Sequence, residues 1–430
     1  MKNLFLSIFI IFTIISCKKE AKIIVDKTFV DSLITHYMPS TREKINAADL
    51  IFWKNRLDSL PKSYLNAQKY AGTLGARFRL YGDINDLIKA DSIMNWLNKE
   101  NQEKDAGIFR TLAANASQQH RFGEASGYAH KAADIGSEKY ASELILTDAY
   151  FELGQYEFVR KQLNRLRKSN NYGYFFGLSK YQHWEGKLDS SIISMQKAQE
   201  LAGNNDFLKQ IAISNIADLY LHSGELEKAA NLYKQSISID VADYHSLAGL
   251  GWIALVHDKK DTLAEKIFQF VQSKTKSPDM FLKLSYVAQQ RKDATAEKKY
   301  TQIFANEASK PIYGNMYNKY LIELYGEILN EPQKMLAIAE KEIKNRAMPQ
   351  TYAWYAWASF KNNQKQKAFQ VYEDFVSEKP LEGLELYYMG QMMQESNKAY
   401  NAKSYFEAAY KNRYDLSPKM MLKLTTSKGE

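Results

Sequence analysis

The stretch from Gln210 to Asp243 reads QIAISNIADLYLHSGELEKAANLYKQSISIDVAD. Counted as a frame of thirty-four, it places Ile216 at position seven, Ala217 at eight, Tyr220 at eleven and Gly224 at fifteen. Ala229 then falls at twenty, Tyr233 at twenty-four and Ser236 at twenty-seven. Two antiparallel helices approach to about 8–10 Å only where small side chains face each other, with larger ones filling the space beside them. Ala217, Ala229 and Ser236 are small at helical spacing, and the tyrosines and isoleucines sit between them. Gly224 supplies the left-handed residue that ends one helix and turns the chain back into the next. The stretch therefore predicts a helical hairpin.

The frame recurs outward in both directions. Phe109, Leu112, Ala113, Ala116, Ala125, Ala129 and Ala132 occupy it in one unit, Tyr150, Gly154 and Leu163 in the next, and Leu178, Gly186, Met195 and Ala198 in a third. Beyond the central unit come Leu250, Gly251, Ala264 and Phe268, then Ala296 and Tyr300, then Tyr352, Ala356, Ala368, Tyr372 and Pro380. Met389, Gly390, Ala402, Phe406 and Ala409 complete the series. The residues at position twenty are Ala90, Ala125, Val159, Ser191, Ala229, Ala264, Ala296, Ala337, Ala368 and Ala402, spaced by roughly 35 residues with insertions in the turns. With 8 prolines and 20 glycines in 430 residues and no β-branched alternation, composition points to an all-α chain.

This pattern resembles the tetratricopeptide consensus over some four fifths of the sequence. The resemblance implies a right-handed superhelical solenoid of about nine to ten hairpins with capping helices, occupying residues 68–412. Residues 26–67, with turns at Pro39 and Pro61 and an apolar face from Ile51, Phe52, Trp53 and Leu57, read as N-terminal capping helices. Such arrays need their terminal apolar faces covered. Residues 413–430 read as the C-terminal cap and tail.

The first seventeen residues carry a different signal. Lys2 precedes an apolar run from Leu4 to Ile15, followed by Ser16 and Cys17. Twelve helical residues reach about 18 Å, short of the roughly 30 Å hydrocarbon core, so the run is an export signal rather than a span. Ile14-Ile15-Ser16-Cys17 resembles the lipobox of bacterial lipoproteins, which implies cleavage before Cys17 and acylation of its thiol. Cys17 is the single cysteine of the chain, so no disulfide is available to an exported product. Residues 18–25 remain as a tether. Lys18, Lys19 and Glu20 faintly resemble the export signals of some Bacteroidetes. The expected location is the outer membrane, lipid-anchored, on its periplasmic face or at the cell surface.

Removal of the signal leaves 57 basic and 49 acidic residues, interleaved as in ELEKAANLYK and AEKEIKNR. That is the pattern of solvated helix faces, and it argues against nucleic-acid binding. Catalytic signals are missing. The seven histidines form no His-Glu-x-x-His pair, AGLGWIA from Ala248 lacks the third glycine of a dinucleotide loop, and Ser194 with Lys197 stands alone without partner motifs. No catalytic residue, metal site or cofactor is expected, and the chain is read as a binding protein rather than an enzyme.

In tetratricopeptide solenoids the binding face is built from the first helix of each hairpin. Projected by resemblance, that face contains Arg110, Asp148, Phe151, Phe176, Lys180, His183, Asp218, Leu221, Trp252, Trp357, Phe360, Tyr387 and Gln391. The lysine–asparagine pattern that clamps peptide C-termini is absent, since Arg110 is matched with Ala114 and Phe176 with Lys180. The aromatic lining suits a protein or peptide of the cell envelope, or a sugar face. An equal alternative is that these aromatics close the core of a tightly wound superhelix, as some of Tyr352, Trp354, Tyr355 and Trp357 must. Two functions follow: a lipid-anchored envelope scaffold, or a lipoprotein that captures a glycan or other ligand. The starch-utilisation binders that motivate the second carry long irregular loops, which this chain lacks.

Overall fold

The computed structural model describes residues 22–396 and 399–426, without the side chains of 399–401 and 426. The expected signal peptide, Cys17 and residues 18–21 of the tether lie outside the described residues. Those described form 23 α-helices and three short 3-10 turns, with no strand among them.

Twenty of the helices make ten consecutive antiparallel hairpins. In order they pair Tyr64–Tyr81 with Ile84–Glu100, Ala106–Gln118 with Phe122–Ile135, Lys139–Glu152 with Tyr156–Leu166, Tyr172–Trp184 with Leu188–Leu201, and Asp206–Ser223 with Leu226–Ile239. The next five pair Tyr244–Val256 with Asp261–Lys274, Asp279–Arg291 with Ala294–Ala308, Asn318–Glu327 with Pro332–Asn345, Pro349–Lys361 with Lys365–Phe375, and Gly383–Glu395 with Ala399–Lys411. Each hairpin packs on its neighbours, so the architecture is an all-α solenoid of tetratricopeptide-type units.

The small-against-large pattern does the packing. Ala217, Ala229 and Ser236 are fully buried in hairpin five, and Tyr233 reaches forward against Gly249 of hairpin six, where an added Cβ would stand 2.5 Å from the ring. Gly251 and Gly390 receive Phe268 and Phe406 in the same manner. Eight of the ten residues expected at position twenty are buried, and Ala296 is half-buried. Ala337 is a correction, because it is exposed. The second helix of hairpin eight starts at Pro332 and turns Met335 and Ala339 inward instead; Gly326 makes room, its missing Cβ otherwise 2.8 Å from the Met335 sulfur.

The turn inside each of the first nine hairpins holds one left-handed residue. It is glycine at 82, 154, 186 and 224, but His120, Lys259, Lys292, Asn330 and Asn363 adopt the same positive φ of 52° to 62° in the other hairpins. A left-handed backbone costs an L-residue roughly 1–2 kcal/mol. Those five turns are held by the packing of the helices they join rather than by local preference.

The solenoid winds so tightly that successive superhelical turns touch. The Tyr81 carbonyl accepts the Lys276 amide, Gly82 lies against Ser277, Gly154 against Met348, and Gly224 against Tyr414. His222 bonds Asp415 at 2.6 Å. Each contact joins the inner turn of one hairpin to the connection between hairpins about 195 residues later. One superhelical turn therefore takes between five and six hairpins.

The N-terminal segment splits in two. The helix Thr41–Ser59 covers the first hairpin, packing Leu50, Trp53 and Leu57 toward Ala67, Tyr70 and Leu74. The helix Lys27–Thr35 instead crosses to the middle of the chain and lies on Asp261–Lys274, with Val30 completely buried, so it does not cap the first hairpin. Asp258, buried beneath it, accepts the backbone amides of Ile24 at 3.0 Å and Val25 at 2.8 Å. Glu43 ties the two parts together, taking hydroxyls from Tyr37 at 2.6 Å, Tyr81 at 3.1 Å and Tyr244 at 3.0 Å. At the far end, Pro418–Thr426 packs on Asp279–Arg291 and on the last hairpin.

Candidate binding cleft on the inner helices

The residues projected onto the binding face separate into three groups. Asp148 and Phe151 leave the helix Lys139–Glu152 one turn apart, and Phe176 and Lys180 leave Tyr172–Trp184 likewise, so the two pairs face each other across adjacent hairpins. Together with Leu144, Ile145, Thr147, Leu163 and Tyr172 they line an open cleft of about 310 Å³. The Lys180 ammonium donates to Asp148 at 2.6 Å and Glu152 at 2.7 Å and stands 4.6 Å above the Phe151 ring. Burial opposes that charge, but the two carboxylates outweigh it and hold the lysine above its ordinary pKa. Glu152 is lowered despite its own burial, because Lys180 and Arg346 flank it. Asp148 remains 46 % exposed at the lip. The cleft thus offers an apolar floor with a charged, solvent-facing edge.

The second group lies along the seam between superhelical turns. The His183 ring lies 5.1 Å from His222 at a 40° tilt, and His222 is bound to Asp415. With Glu382, Gln350 and Trp184 they surround a cavity of about 430 Å³. Burial and the neighbouring His222 charge lower His183, whereas His222 overcomes its burial through Asp415 and is raised. Asp218 accepts from Tyr233 at 2.6 Å and from His245 at 2.9 Å, and its charge lifts His245 to about 9 although that imidazole keeps 65 % of its surface open. Leu221 is half-buried beside them.

The third group corrects the groove expectation. Trp252, Trp357, Phe360 and Tyr387 are buried in the core, Trp357 at 1 % and Tyr387 at 0 % exposure. Trp357 stacks on Phe360 and on Tyr388, 5.9 and 5.5 Å between centroids, and the Trp252 indole donates to the Tyr414 carbonyl at 2.8 Å. The helix Pro349–Lys361 is apolar all round, and from Thr351 to Phe360 only Tyr352 is not fully buried. Such a helix has neighbours on every side, so of the two sequence-based alternatives the core reading holds here. Arg110 is likewise spoken for: it binds Ser137, Glu138 and Ser142 and fixes the start of the next hairpin. Gln391 is half-buried, and its side chain makes no hydrogen bond among the described residues.

Sequence reasoning missed a larger open hollow, about 1130 Å³, bordered by the capping helix Thr41–Ser59, the first hairpin and the N-terminal end of Asp206–Ser223. Trp53, Phe207, Met94 and Ile45 share its wall with Asn46, Asp49, Gln68 and Lys69. Arg42 crosses it to Asp240 at 2.8 Å and lies over Phe207. Exposed Gly72, with nothing within 4 Å of an added Cβ, was the available signal, since a helical glycine facing open space has no packing reason to be one. Among the described residues no three His, Cys, Asp or Glu side chains group to hold a metal ion, and no helix is long and apolar enough to cross a membrane.

Residues 212–241 match the tetratricopeptide repeat family. No curated protein matches the chain. Among solved structures it is similar to PilF of Pseudomonas aeruginosa, with 10 % identity over 50 % of this chain and 97 % of that one and a TM-score of 0.37. A tetratricopeptide repeat protein from Parabacteroides merdae gives 19 % identity over 67 % and 98 %, with a TM-score of 0.34. A chain of the APC/C hetero-tetramer Cut9–Hcn1 gives 12 % over 93 % and 69 %, with 0.49. The central unit from which the fold was read is thus a tetratricopeptide repeat, and the chain built around it is an all-α solenoid of such units.

Proposed function

We propose that the chain is a lipid-anchored scaffold of the bacterial envelope that holds a protein or peptide partner on its inner helices. The observation that carries the reading is the cleft of Asp148, Phe151, Phe176 and Lys180, where apolar floor and charged lip remain open while comparable aromatics elsewhere are packed away. A partner would insert an apolar side chain between the phenylalanines and place a cation near exposed Asp148. The signal sequence and Cys17 support export and acylation. A photo-crosslinker at Gly177, on the cleft wall, should capture an envelope protein from whole cells, and Phe151→Ala with Phe176→Ala should abolish the capture. Undiminished capture by the double variant would remove the cleft from the proposal. Retention in the membrane fraction after Cys17→Ser would remove the anchor.

The 1130 Å³ hollow favours a second reading, capture of a polar ligand such as a glycan, because Trp53 and Phe207 offer ring faces beside Gln68, Asp49 and Lys69. A glycan array with no signal, or one unaffected by Trp53→Ala, would dismiss it.

A further inference from the structure

The strap that begins at Lys22 fixes where a lipid would leave the molecule. Lys22 pairs with Glu227 at 2.9 Å, and the amides of Ile24 and Val25 are held by buried Asp258 in the turn 257–260. From Cys17 to Lys22 an extended chain spans at most about 18 Å, so an acyl group on Cys17 stays within that reach of Lys22, on the side of the molecule where this turn lies. The turns inside hairpins one, two, three and five are covered by the following superhelical turn, as Gly82, the His120 carbonyl bound to Asn345, Gly154 and Gly224 show. Turn 257–260 is the first beyond them. No later superhelical turn stacks over it among the described residues, and the inner turns at Lys292, Asn330 and Asn363 continue the same edge, with the C-terminal helix Pro418–Thr426 lying alongside Lys292 through the bond from the Lys419 amide to Gln289.

That edge has spare positive charge. Lys260, Lys292 and Lys365 are exposed and have no carboxylate partner among the described residues, and Lys361 and Lys365 lie over the Trp357 and Phe360 rings. Of the edge's carboxylates, Asp261 is paired with Arg291 at 2.7 Å and Glu331 with Lys334 at 2.5 Å, while Asp258 and Asp293 accept backbone amides and keep their charge, which the lysines outnumber. Ile23, half exposed, stands beside the tether.

We propose that the uncovered edge of the superhelix, from the turn 257–260 to the turn 362–364, is the face that rests on an anionic lipid surface, so that the anchor is fixed at mid-chain rather than at a solenoid end. This rests on acylation of Cys17. Lysine ammonium groups beside headgroup phosphates add to the acyl chains, each contributing modestly.

The test uses the full-length chain purified from membranes and reconstituted in vesicles of phosphatidylethanolamine and phosphatidylglycerol. Single cysteines at Lys260, Asn363 and, on the opposite edge, Asn204 carry a fluorophore, and a nitroxide-headgroup lipid quenches it. Quenching should be several-fold stronger at 260 and 363 than at 204, and Lys260→Glu with Lys292→Glu and Lys365→Glu should weaken the contrast in anionic but not zwitterionic vesicles. Asp258→Asn, which frees the strap, should also reduce it. Equal quenching at both edges with an acylated N-terminal peptide in the mass spectrum would overturn the orientation alone. An N-terminal peptide without acyl mass would overturn the anchor and the orientation together.

Discussion

Hairpins three and four and hairpins nine and ten use one frame for opposite ends. In Lys139–Glu152 and Tyr172–Trp184, Phe151, Tyr172 and Phe176 stay half-buried and border an open cleft. In Pro349–Lys361 and Gly383–Glu395, Trp357, Phe360, Tyr387 and Tyr388 are sealed in. The difference lies in the neighbouring positions. Around Phe176 stand Lys180, Asp148 and Glu152, whose charges must reach water, whereas Trp357 is flanked by Ala353, Ala356 and Ala358, which let other helices close over it. An aromatic on the inner helix becomes groove or core according to the polarity of its own helix neighbours.

That contrast can be broken most severely at Trp357. Trp357→Ala should cost about 3–5 kcal/mol of unfolding free energy, against about 1 kcal/mol or less for Phe176→Ala, both read from denaturant midpoints. A similar cost for the two would erase the distinction between the halves. Next in size are the glycines. Gly249→Ala forces a Cβ onto the Tyr233 ring and should destabilise by about 1–3 kcal/mol, while Gly72→Ala, facing open space in a helix, should stabilise by about 0.5–1 kcal/mol. Opposite signs at two helical glycines would confirm that one region is packed and the other hollow. In the turns, Lys292→Gly should add about 1 kcal/mol by relieving its left-handed backbone, and Gly224→Lys should lose a comparable amount.

The smallest expected effect is a pH dependence. His245, lifted to about 9 by Asp218, is protonated in the folded chain at neutral pH. A group whose pKa rises on folding contributes stability below its unfolded value near 6.5 and loses it as pH climbs through the folded value. Stability should therefore fall slightly between about pH 6.5 and 9, and His245→Ala should flatten that slope. His183, lowered by burial and His222, has the opposite sign, weakening the fold as the solution is acidified through its unfolded value. NMR titration of the two imidazoles should place them on either side of the ordinary value.

The hairpins were legible in the sequence because the contacts that make them are local. Ala217 meets Ala229 across one turn, and helical spacing alone brings them together. The frame slipped at Ala337, where a short turn before Pro332 moved the inward register by two residues, a change that identity at a fixed interval does not reveal. Part of the candidate cleft was legible for the same local reason, since Asp148, Phe151, Phe176 and Lys180 sit on adjacent first helices. The choice between groove and core for Trp252 and Trp357, the His222–Asp415 bond and the route of the strap were not legible. They depend on superhelical pitch, which accumulates from small rotations at every hairpin and leaves no mark on any single one.

The contacts between superhelical turns alter the mechanics of the array. An open helical ribbon stretches as a soft spring, each unit bending a little and returning. Here the coils are joined at their rims by Lys276 and Tyr81, by His222 and Asp415, and by Trp252 and Tyr414. Such a spring cannot be compressed and resists extension until a seam parts. A pull applied at one point of the array would therefore be transmitted across the superhelix almost without give, until the load exceeds what those few bonds can bear.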